Sequence, residues 1–369
     1  MQRYHRIAVL GAAGAVGRVL VRLLLENSDA GLVLAGRTKT KLDQLAKSFR
    51  EHVDVARYHV AVADASDPVS MRNAFEGVDV VVNATTASRD CLTIARVCVE
   101  IGSDYLEMNL AQTLTPLADA AKARGVALID QAGFHPGLPA PLIRWARARL
   151  DSLECARIFM AMDPDFETPL SALELVDAVG ENRGALVRGG TWRRATYRDL
   201  LSRDFGGKWG KKKCFPLEMP ELRRVAEEIG LDEAGVYAAG FNAFIDNVVF
   251  PINMLAYKIH KGWGRATLSR MIHWGAKRFS KPGSAVCFLL AAKGTQGGTT
   301  RELEARIDHD DALLFTAAPV LAAIEQLDDG SARRPGLEMM GVVVDPERLF
   351  RDLERHGIRI QSDLSRDAA

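Results

Sequence analysis

The stretch Ile7-Ala8-Val9-Leu10-Gly11-Ala12-Ala13-Gly14-Ala15-Val16-Gly17 decides how the first part of the chain folds. The four apolar residues before Gly11 predict a buried strand. After it, apolar side chains recur at the spacing of one helix face: Val16, Val19, Leu20, Leu23 and Leu24. The glycines between strand and helix allow a tight turn and close approach to a pyrophosphate. We therefore predict a dinucleotide-binding turn formed by Gly11, Ala13, Gly14, Ala15, Val16 and Gly17.

Strands and helices alternate up to about residue 130. Further apolar strands are predicted at 32–35, 58–63, 78–82, 104–106 and 126–129, with helices at 40–49, 89–101 and 115–124. This pattern is typical of βαβ units, and it predicts an α/β fold with a Rossmann-type parallel sheet. In such sheets ligands bind beyond the carboxyl ends of the strands. We therefore expect functional residues at the strand ends.

The end of the second predicted strand distinguishes between cofactors. NAD enzymes usually place Asp or Glu at this position, whereas this chain has Arg37, Thr38 and Lys41 there. A guanidinium can pair with the 2′-phosphate that only the phosphorylated dinucleotide carries. These residues predict NADP(H) as the cofactor. The alternative is a solvated group of cations at a helix start.

Two other strand ends carry polar residues. Asp64 follows the third strand, where it either accepts a hydrogen bond from the adenine amine or caps the next helix. Asn83, Ala84 and Thr85 follow the fourth strand. We expect these three residues to contact the nicotinamide ribose.

With these residues in place, the chain resembles the saccharopine dehydrogenase-like family. The resemblance covers the first 140 residues and roughly 315–360, and its main matching stretches are 11–17, 35–42, 79–84, 102–105, 133–138 and 316–336. The family contains saccharopine reductases, carboxynorspermidine dehydrogenases and trans-acting enoyl reductases. The resemblance implies hydride transfer between NADPH and a polarised double bond, C=N in the amino-acid members and C=C in the acyl members.

The pattern changes beyond the first domain. Strands are predicted at 155–162, 284–291 and 299–308, the last with alternating apolar and charged residues. We expect residues 1–134 to form the NADP-binding domain, and residues 135–369 a substrate-binding, possible dimerisation domain of α+β type on a mixed or antiparallel sheet. The segment 311–330 is expected to pack back on the first domain. The active site is then expected in the cleft between the domains.

Few residues are candidates for proton transfer. Hydride transfer needs a proton donor for the atom that gains negative charge. His135, in the expected interdomain loop, and Tyr105, at the fifth strand, are the two candidates, although such residues are more often structural than catalytic. The sequence contains no H-E-x-x-H motif, P-loop or metal-ligand spacing.

Composition excludes several classes of protein. Hydrophobic residues make up 48% and charged residues 26%, which disfavours intrinsic disorder. The 48 Lys and Arg nearly balance the 47 Asp and Glu, so overall charge gives no attraction to nucleic acid. The five cysteines have no disulfide or metal spacing and are expected to be reduced. No apolar run is long enough to span a bilayer, and a strand begins almost at once, so we expect a cytoplasmic protein.

Charge is nevertheless uneven along the chain. Residues 183–215 contain ten Lys or Arg and two acids, and residues 257–281 contain seven Lys or Arg and no acid. In the second run Leu268, Met271, Ile272, Gly275, Ala276 and Phe279 fall on one predicted helix face. Such a helix can lie on an anionic membrane, dock an acyl carrier protein, or simply pack with its basic face in water.

These observations predict an NADP-dependent oxidoreductase that reduces a C=N or C=C bond in a carboxylate-bearing or acyl small molecule. A membrane-associated reductase of lipid or polyketide intermediates is the alternative suggested by the basic helix. A redox sensor that binds NADP without turnover is the alternative suggested by the sparse proton donors. A homodimer is the oligomer to expect, since dimers are the commonest assemblies.

Overall fold

The computed structural model describes residues 3–86, 89–109, 114–163, 166, 168–181, 184–281 and 283–366. Arg183, the first residue of one predicted basic run, lies outside them. Strands and helices alternate through the first part: β1 (Arg6–Leu10), α1 (Ala15–Asn27), β2 (Gly31–Gly36), α2 (Lys39–Phe49), β3 (Tyr58–Val62), α3 (Pro68–Ala74), β4 (Val80–Asn83), α4 (Cys91–Ile101), β5 (Asp104–Glu107), α5 (Ala118–Ala123), β6 (Ala127–Asp130) and α6 (Pro139–Arg147).

Strands predominate in the middle of the chain. Its elements are β7 (Ser152–Met162), α7 (Leu173–Gly180), β8 (Ala185–Arg188), β9 (Thr191–Arg194), β10 (Leu201–Asp204), β11 (Lys211–Leu217), α8 (Pro220–Ile229), β12 (Glu233–Ala239), α9 (Phe250–Ile259), α10 (Arg265–Phe279), β13 (Val286–Gln296) and β14 (Thr299–His309). The last part contains α11 (Ala312–Asp328), β15 (Gly336–Met339), α12 (Met340–Val343), α13 (Pro346–Glu354) and β16 (Ile360–Arg366).

The chain divides into two compact units. The first unit contains the residues up to Leu142 together with Leu313–Gly357, and the second contains Ile143–Ala312 and the residues from Ile358 onward. The sequence placed a division after residue 134 and a return of the chain at about 311–330. That these units are functional domains stays a prediction.

The first unit is built on a seven-stranded parallel sheet in the order β15-β6-β5-β4-β1-β2-β3. Strand β1 pairs with β2 and β4, so that Leu10 lies beside Ala35 and Asn83. Four of the five β1 residues are buried, as expected for a parallel sheet with apolar strands. Helix α1 buries Leu20, Leu23 and Leu24, which confirms its predicted apolar face.

The second unit contains a nine-stranded mixed sheet, whose main path runs β10-β11-β12-β7-β13-β14-β16. Strands β7 and β12 pair in parallel, whereas β7 pairs with β13 and β13 with β14 in antiparallel fashion. On β14 the alternate residues Leu303, Ala305 and Ile307 are buried, as the sequence pattern predicted. The two sheets together confirm the predicted α/β fold with a mixed second sheet.

Helices α9 and α10 belong to a separate apolar cluster of the second unit, with Ile245, Val249, Leu268 and Ile272 in its core. The predicted face of α10 is mostly covered, but Phe279 is 50% exposed. Among the described residues, no helix combines the length and the apolar character needed to cross a membrane.

Candidate functional site

The glycine turn after β1 is fixed by backbone contacts that leave no room for side chains. Gly11 has a φ of +88°, and a Cβ there would lie 2.8 Å from the carbonyl oxygen of Ala84. A Cβ on Gly17 would lie 2.2 Å from the carbonyl oxygen of Gly11. The N–H groups of Gly11 and Ala12 both donate to the carbonyl of Ala35, at 2.9 and 3.1 Å. The turn therefore needs its glycines and is held against β2.

The start of α1 has the properties of an anion site. No side chain caps the helix, whose N-cap is Gly14, and its first turn contains no acidic residue. Gly14 is exposed, and Ala13, Ala15 and Val16 are half-buried. A helix start presents unpaired N–H groups and the positive end of the helix dipole. These residues therefore fit the pyrophosphate of a dinucleotide.

The end of β2 supplies the cations. Arg37, Thr38 and Lys41 are exposed. Lys39 is already paired with Asp43 at 2.9 Å, whereas Arg37 and Lys41 have no ion pair with any described residue. The first turn of α2 contains no acid. Because cations are unfavourable at a helix start, two unpaired ones there fit an anionic group such as a 2′-phosphate.

Asp64 lies near this cationic group. Its carboxylate accepts from the N–H of Ser66 at 2.9 Å and from the Ser66 hydroxyl at 2.7 Å. These hydrogen bonds, and to a lesser degree Arg37, lower the pKa of Asp64. Asp67, not Asp64, caps α3 by accepting from the N–H of Val69. Of the two interpretations left open for Asp64, capping of the next helix is therefore wrong.

Five polar residues at the ends of β4 and β5 form a connected group, here called the strand-end cluster: Asn83, Thr85, Tyr105, Glu107 and Asn109. Asn83 donates to the Glu107 carboxylate at 2.8 Å and accepts from the Thr85 hydroxyl at 2.7 Å. Asn109 donates to Glu107 through both its backbone N–H, at 2.8 Å, and its side chain, at 2.7 Å. The cluster therefore fixes the side chains of Asn83 and Thr85, which were predicted to contact a ribose; Ala84 lies between them.

Glu107 is the centre of the strand-end cluster. It is fully buried, as is Tyr105, whose hydroxyl donates to the same carboxylate. Burial, followed by the charge of Glu107, raises the pKa of Tyr105 well above its ordinary value of 10.0. The same two causes raise the pKa of the neighbouring Cys91 thiol. The catalytic role of Tyr105 stays a prediction, and its hydroxyl proton is engaged by Glu107.

The end of β6 adds a residue in an uncommon conformation. Gln131 has a φ of +59°, which residues other than glycine seldom adopt. It is 1% exposed, and its Oε1 atom has no hydrogen-bond partner among the described residues. The next residue, Ala132, donates its N–H to the carbonyl of Glu107 at 2.8 Å. The β6 end is thus joined to the strand-end cluster by the backbone.

His135 lies in the loop before α6. Its ring is half-buried and stands 6.0 Å from the ring of Phe134. Burial lowers the pKa of His135 below its ordinary value of 6.5, so the imidazole is neutral at pH 7. The loop also requires Gly137, whose φ is +129° and whose added Cβ would lie 2.4 Å from the carbonyl oxygen of Gly133. The catalytic role of His135 stays a prediction.

Three residues of this site were not predicted from the sequence: Glu107, Asn109 and Gln131. Glu107 could have been found, because it directly follows the predicted strand 104–106 and strand ends were the places to search. Gln131 could have been found in the same way, because it lies two residues after the predicted strand 126–129, whereas Asn109 carries no such signal. Among the described residues, no group of acidic, histidine or cysteine side chains could hold a metal ion.

Comparison with known proteins agrees with this geometry. Residues 7–129 match the family described as the saccharopine dehydrogenase NADP-binding domain. The shikimate dehydrogenase (NADP(+)) of Paracoccus denitrificans is 34% identical over 137 residues, which cover 36% of this chain and 45% of that protein. The chain therefore spans less than half the length of this curated relative.

The fold extends the comparison to the whole chain. Saccharopine dehydrogenase (L-Glu forming) from Saccharomyces cerevisiae, in its apo form, superposes with a TM-score of 0.73 and 14% sequence identity. The superposition covers 98% of this chain and 100% of that one, so the two share a fold. The matched domain, the uncapped glycine turn and the unpaired cations beyond β2 together identify residues 7–129 as a saccharopine dehydrogenase-type NADP-binding domain.

Proposed function

We propose that this protein transfers hydride between NADPH and a C=N or C=C bond of a carboxylate-bearing or acyl small molecule. The observation that carries the proposal is the pairing of an uncapped glycine turn with unpaired Arg37 at the neighbouring strand end. When bound, NADPH supplies the hydride. The protein's residues then have to hold the cofactor, orient the substrate and provide a proton.

Each part of the site has a role in this proposal. The turn from Gly11 to Gly17 and the start of α1 would hold the pyrophosphate, and Arg37, Thr38 and Lys41 the 2′-phosphate. Asn83 and Thr85, oriented by Glu107, would contact the ribose. The hydrogen bonds of the strand-end cluster keep these side chains in one arrangement before the ligand arrives, which reduces the entropy lost on binding.

His135 is the group proposed to exchange a proton with the substrate. Its pKa is lowered by burial, so at neutral pH the ring accepts a proton when the substrate is oxidised. In the reducing direction it would donate a proton that it has first taken up from solvent. Tyr105 is the second proposed proton donor. Because its hydroxyl already donates to Glu107, we expect His135 to be the more important of the two.

The first test measures cofactor preference. We expect NADPH to bind more tightly than NADH, and Arg37→Asp to reverse that order. A charge-assisted hydrogen bond contributes about 1.5–3 kcal/mol, or roughly 10- to 150-fold in affinity. Titration by nucleotide fluorescence measures this, and Lys39→Ala is the matched control because Lys39 is paired with Asp43. Equal affinities of the unmodified protein for the two nucleotides would refute the assignment.

The second test separates an enzyme from a sensor. Oxidation of NADPH is followed with a panel of imines, enals and enoyl thioesters, each with and without a carboxylate. The proposal expects turnover with at least one class, and at limiting NADPH this turnover should fall in Arg37→Ala. Tight NADPH binding with no turnover across the panel would favour a sensor instead. An active substrate would also show whether C=N or C=C is reduced.

A further inference from the structure

The solvent side of α9 is apolar. Val248, just before the helix, and Ile252, Leu255 and Ile259 within it are 41%, 47%, 62% and 66% exposed. Their spacing of four, three and four residues places them on one helix face. The opposite face of α9 is covered, since Phe250, Asn253 and Tyr257 are buried. We call the four exposed residues the apolar stripe.

Exposed aromatic side chains lie on the segments that follow α9 in the chain. Trp263, between the two helices, and Trp274 and Phe279, on α10, are 50% to 56% exposed. With Met254, which is 39% exposed, these residues and the apolar stripe make up eight of the twelve large hydrophobic side chains that are exposed in the described part of the chain. Scattered exposed apolar residues are ordinary, but a concentration on one pair of helices marks an interaction surface.

The same helices carry unpaired positive charge. Residues 257–281 contain seven Lys or Arg and no acid. Lys261 pairs with Glu181 at 2.9 Å, and Arg265 pairs with Asp177 at 2.6 Å. The other five have no ion pair with any described residue: Lys258, Arg270, Lys277, Arg278 and Lys281. The surface therefore combines apolar side chains with a net charge that calls for an anionic partner.

The surface is preformed. Arg265 donates to both oxygens of Asp177, to which the Tyr257 hydroxyl also donates, so α7, α9 and α10 are tied together. The exposed Trp274 ring packs edge-on against Phe244 and Phe279, at 5.3 and 5.4 Å between ring centres. Little ordering is therefore needed when a partner binds, which favours binding.

From these observations we propose that the α9–α10 face binds the surface of a bilayer containing anionic phospholipid. Lipid headgroups would pair with the five free cations, while the apolar stripe and the tryptophans enter the boundary between headgroups and acyl chains. A second copy of the chain fits less well, because a twofold contact would bring two sets of unpaired cations together. This inference does not depend on the reaction proposed above.

Co-sedimentation of the full chain with vesicles tests the inference. We expect binding to vesicles of phosphatidylcholine with 30% phosphatidylglycerol, weak binding to phosphatidylcholine alone, and loss of binding at high salt. Each basic residue near an anionic surface is worth about 1 kcal/mol, so Lys277→Gln with Arg278→Gln should lower partitioning about 30-fold. Leu255→Ser with Ile259→Ser should lower it at least 10-fold by removing apolar burial.

The controls use residues of the first unit. Val69→Ser removes a 61% exposed apolar side chain, and Lys122→Gln an exposed cation, and both should leave partitioning unchanged. Unaltered NADPH affinity and unfolding temperature show that each variant is folded. Absence of binding to anionic vesicles at low salt overturns the inference. So does a dimer that dissociates in Leu255→Ser with Ile259→Ser without vesicle binding, or a soluble acidic protein that alone occupies the face.

Discussion

The two sheets place their polar residues differently. In the parallel sheet of the first unit, buried polar side chains are concentrated where strands end, with Asn83 and Glu107 fully buried at the ends of β4 and β5. In the mixed sheet of the second unit, charged residues lie along the strands. Glu233 on β12, for example, accepts from Arg157 of β7 and Arg188 of β8 at 2.8 and 3.1 Å.

Strand direction explains the difference. Parallel strands all end at one edge, so residues distant in sequence meet there and their side chains can be buried together. In the mixed sheet strands end at both edges, and polar residues pair across neighbouring strands, partly in water. Topology therefore indicates where to search for a site in the first unit, whereas it gives no such indication in the second.

Removal of one carboxylate from each sheet should show the contrast most strongly. Glu107→Ala leaves two fully buried donors, on Asn83 and Tyr105, and the half-buried backbone N–H of Asn109 without their acceptor. Since each orphaned donor costs about 1–3 kcal/mol, we expect a loss of stability of about 3 kcal/mol or more. Glu304 of the second unit is 59% exposed and pairs with Arg203 at 2.7 Å, so Glu304→Ala should cost less than about 1 kcal/mol.

Urea unfolding of both variants measures this difference. Glu107→Gln is the matched control, because it retains one acceptor oxygen and should lose less stability than Glu107→Ala. Similar costs for Glu107→Ala and Glu304→Ala would contradict the view that the strand-end cluster is a tightly connected, buried network.

The parts of the site that the sequence predicted are local. The glycine turn needs only one strand, seven turn residues and one helix, all within Arg6–Asn27, and Arg37 follows from the next strand end. In the same way, the spacing of apolar residues predicted the buried faces of α1 and β14, and the structure confirms both. These features depend on neighbours in sequence, so a single sequence reveals them.

The parts that the sequence missed depend on distant contacts. Glu107 gains its role from Asn83, 24 residues away, and from a strand that ends one residue later than predicted. On α9 and α10, periodicity shows which residues share a face but not whether another element covers it. The exposure of Leu255, Ile259 and Phe279 therefore could not be predicted. Their surroundings are set by tertiary packing.

Two glycines offer a second comparison of the units. A Cβ on Gly17 would lie 2.2 Å from the Gly11 carbonyl oxygen, and one on Gly294 of β13 would lie 2.0 Å from the Ser152 carbonyl oxygen. Overpacking costs about 1–3 kcal/mol. We expect Gly17→Ala to weaken NADPH binding roughly 5- to 150-fold, because the shifted turn no longer fits the pyrophosphate.

Gly294→Ala should destabilise the folded protein by about 1–3 kcal/mol, the cost of overpacking, while its NADPH affinity stays unchanged. Gly31→Ala is the common control, since its Cβ would meet only ordinary contacts, the nearest at 3.6 Å. Fluorescence titration with NADPH, combined with urea unfolding, separates the two effects. Equal losses of NADPH affinity in Gly17→Ala and Gly294→Ala would show that the glycine turn has no special relation to the cofactor.

The smallest effect is expected from the charged group of the mixed sheet, and it should depend on pH. Hydrogen bonds from Arg157, and then the charges of Arg157 and Arg188, lower the pKa of Glu233 below its ordinary value of 4.5. A carboxylate with a lowered pKa stabilises the folded state above that ordinary value, and this contribution is lost as the pH falls through the lowered pKa.

Because Glu233 remains 20% exposed, we expect Glu233→Gln to cost only about 1 kcal/mol of stability at pH 7. At pH 3 the cost should be smaller, while Glu227→Gln, at an exposed helix pair, should have little effect at either pH. An equal cost of Glu233→Gln at both values would mean that packing, rather than charge, is what this residue contributes.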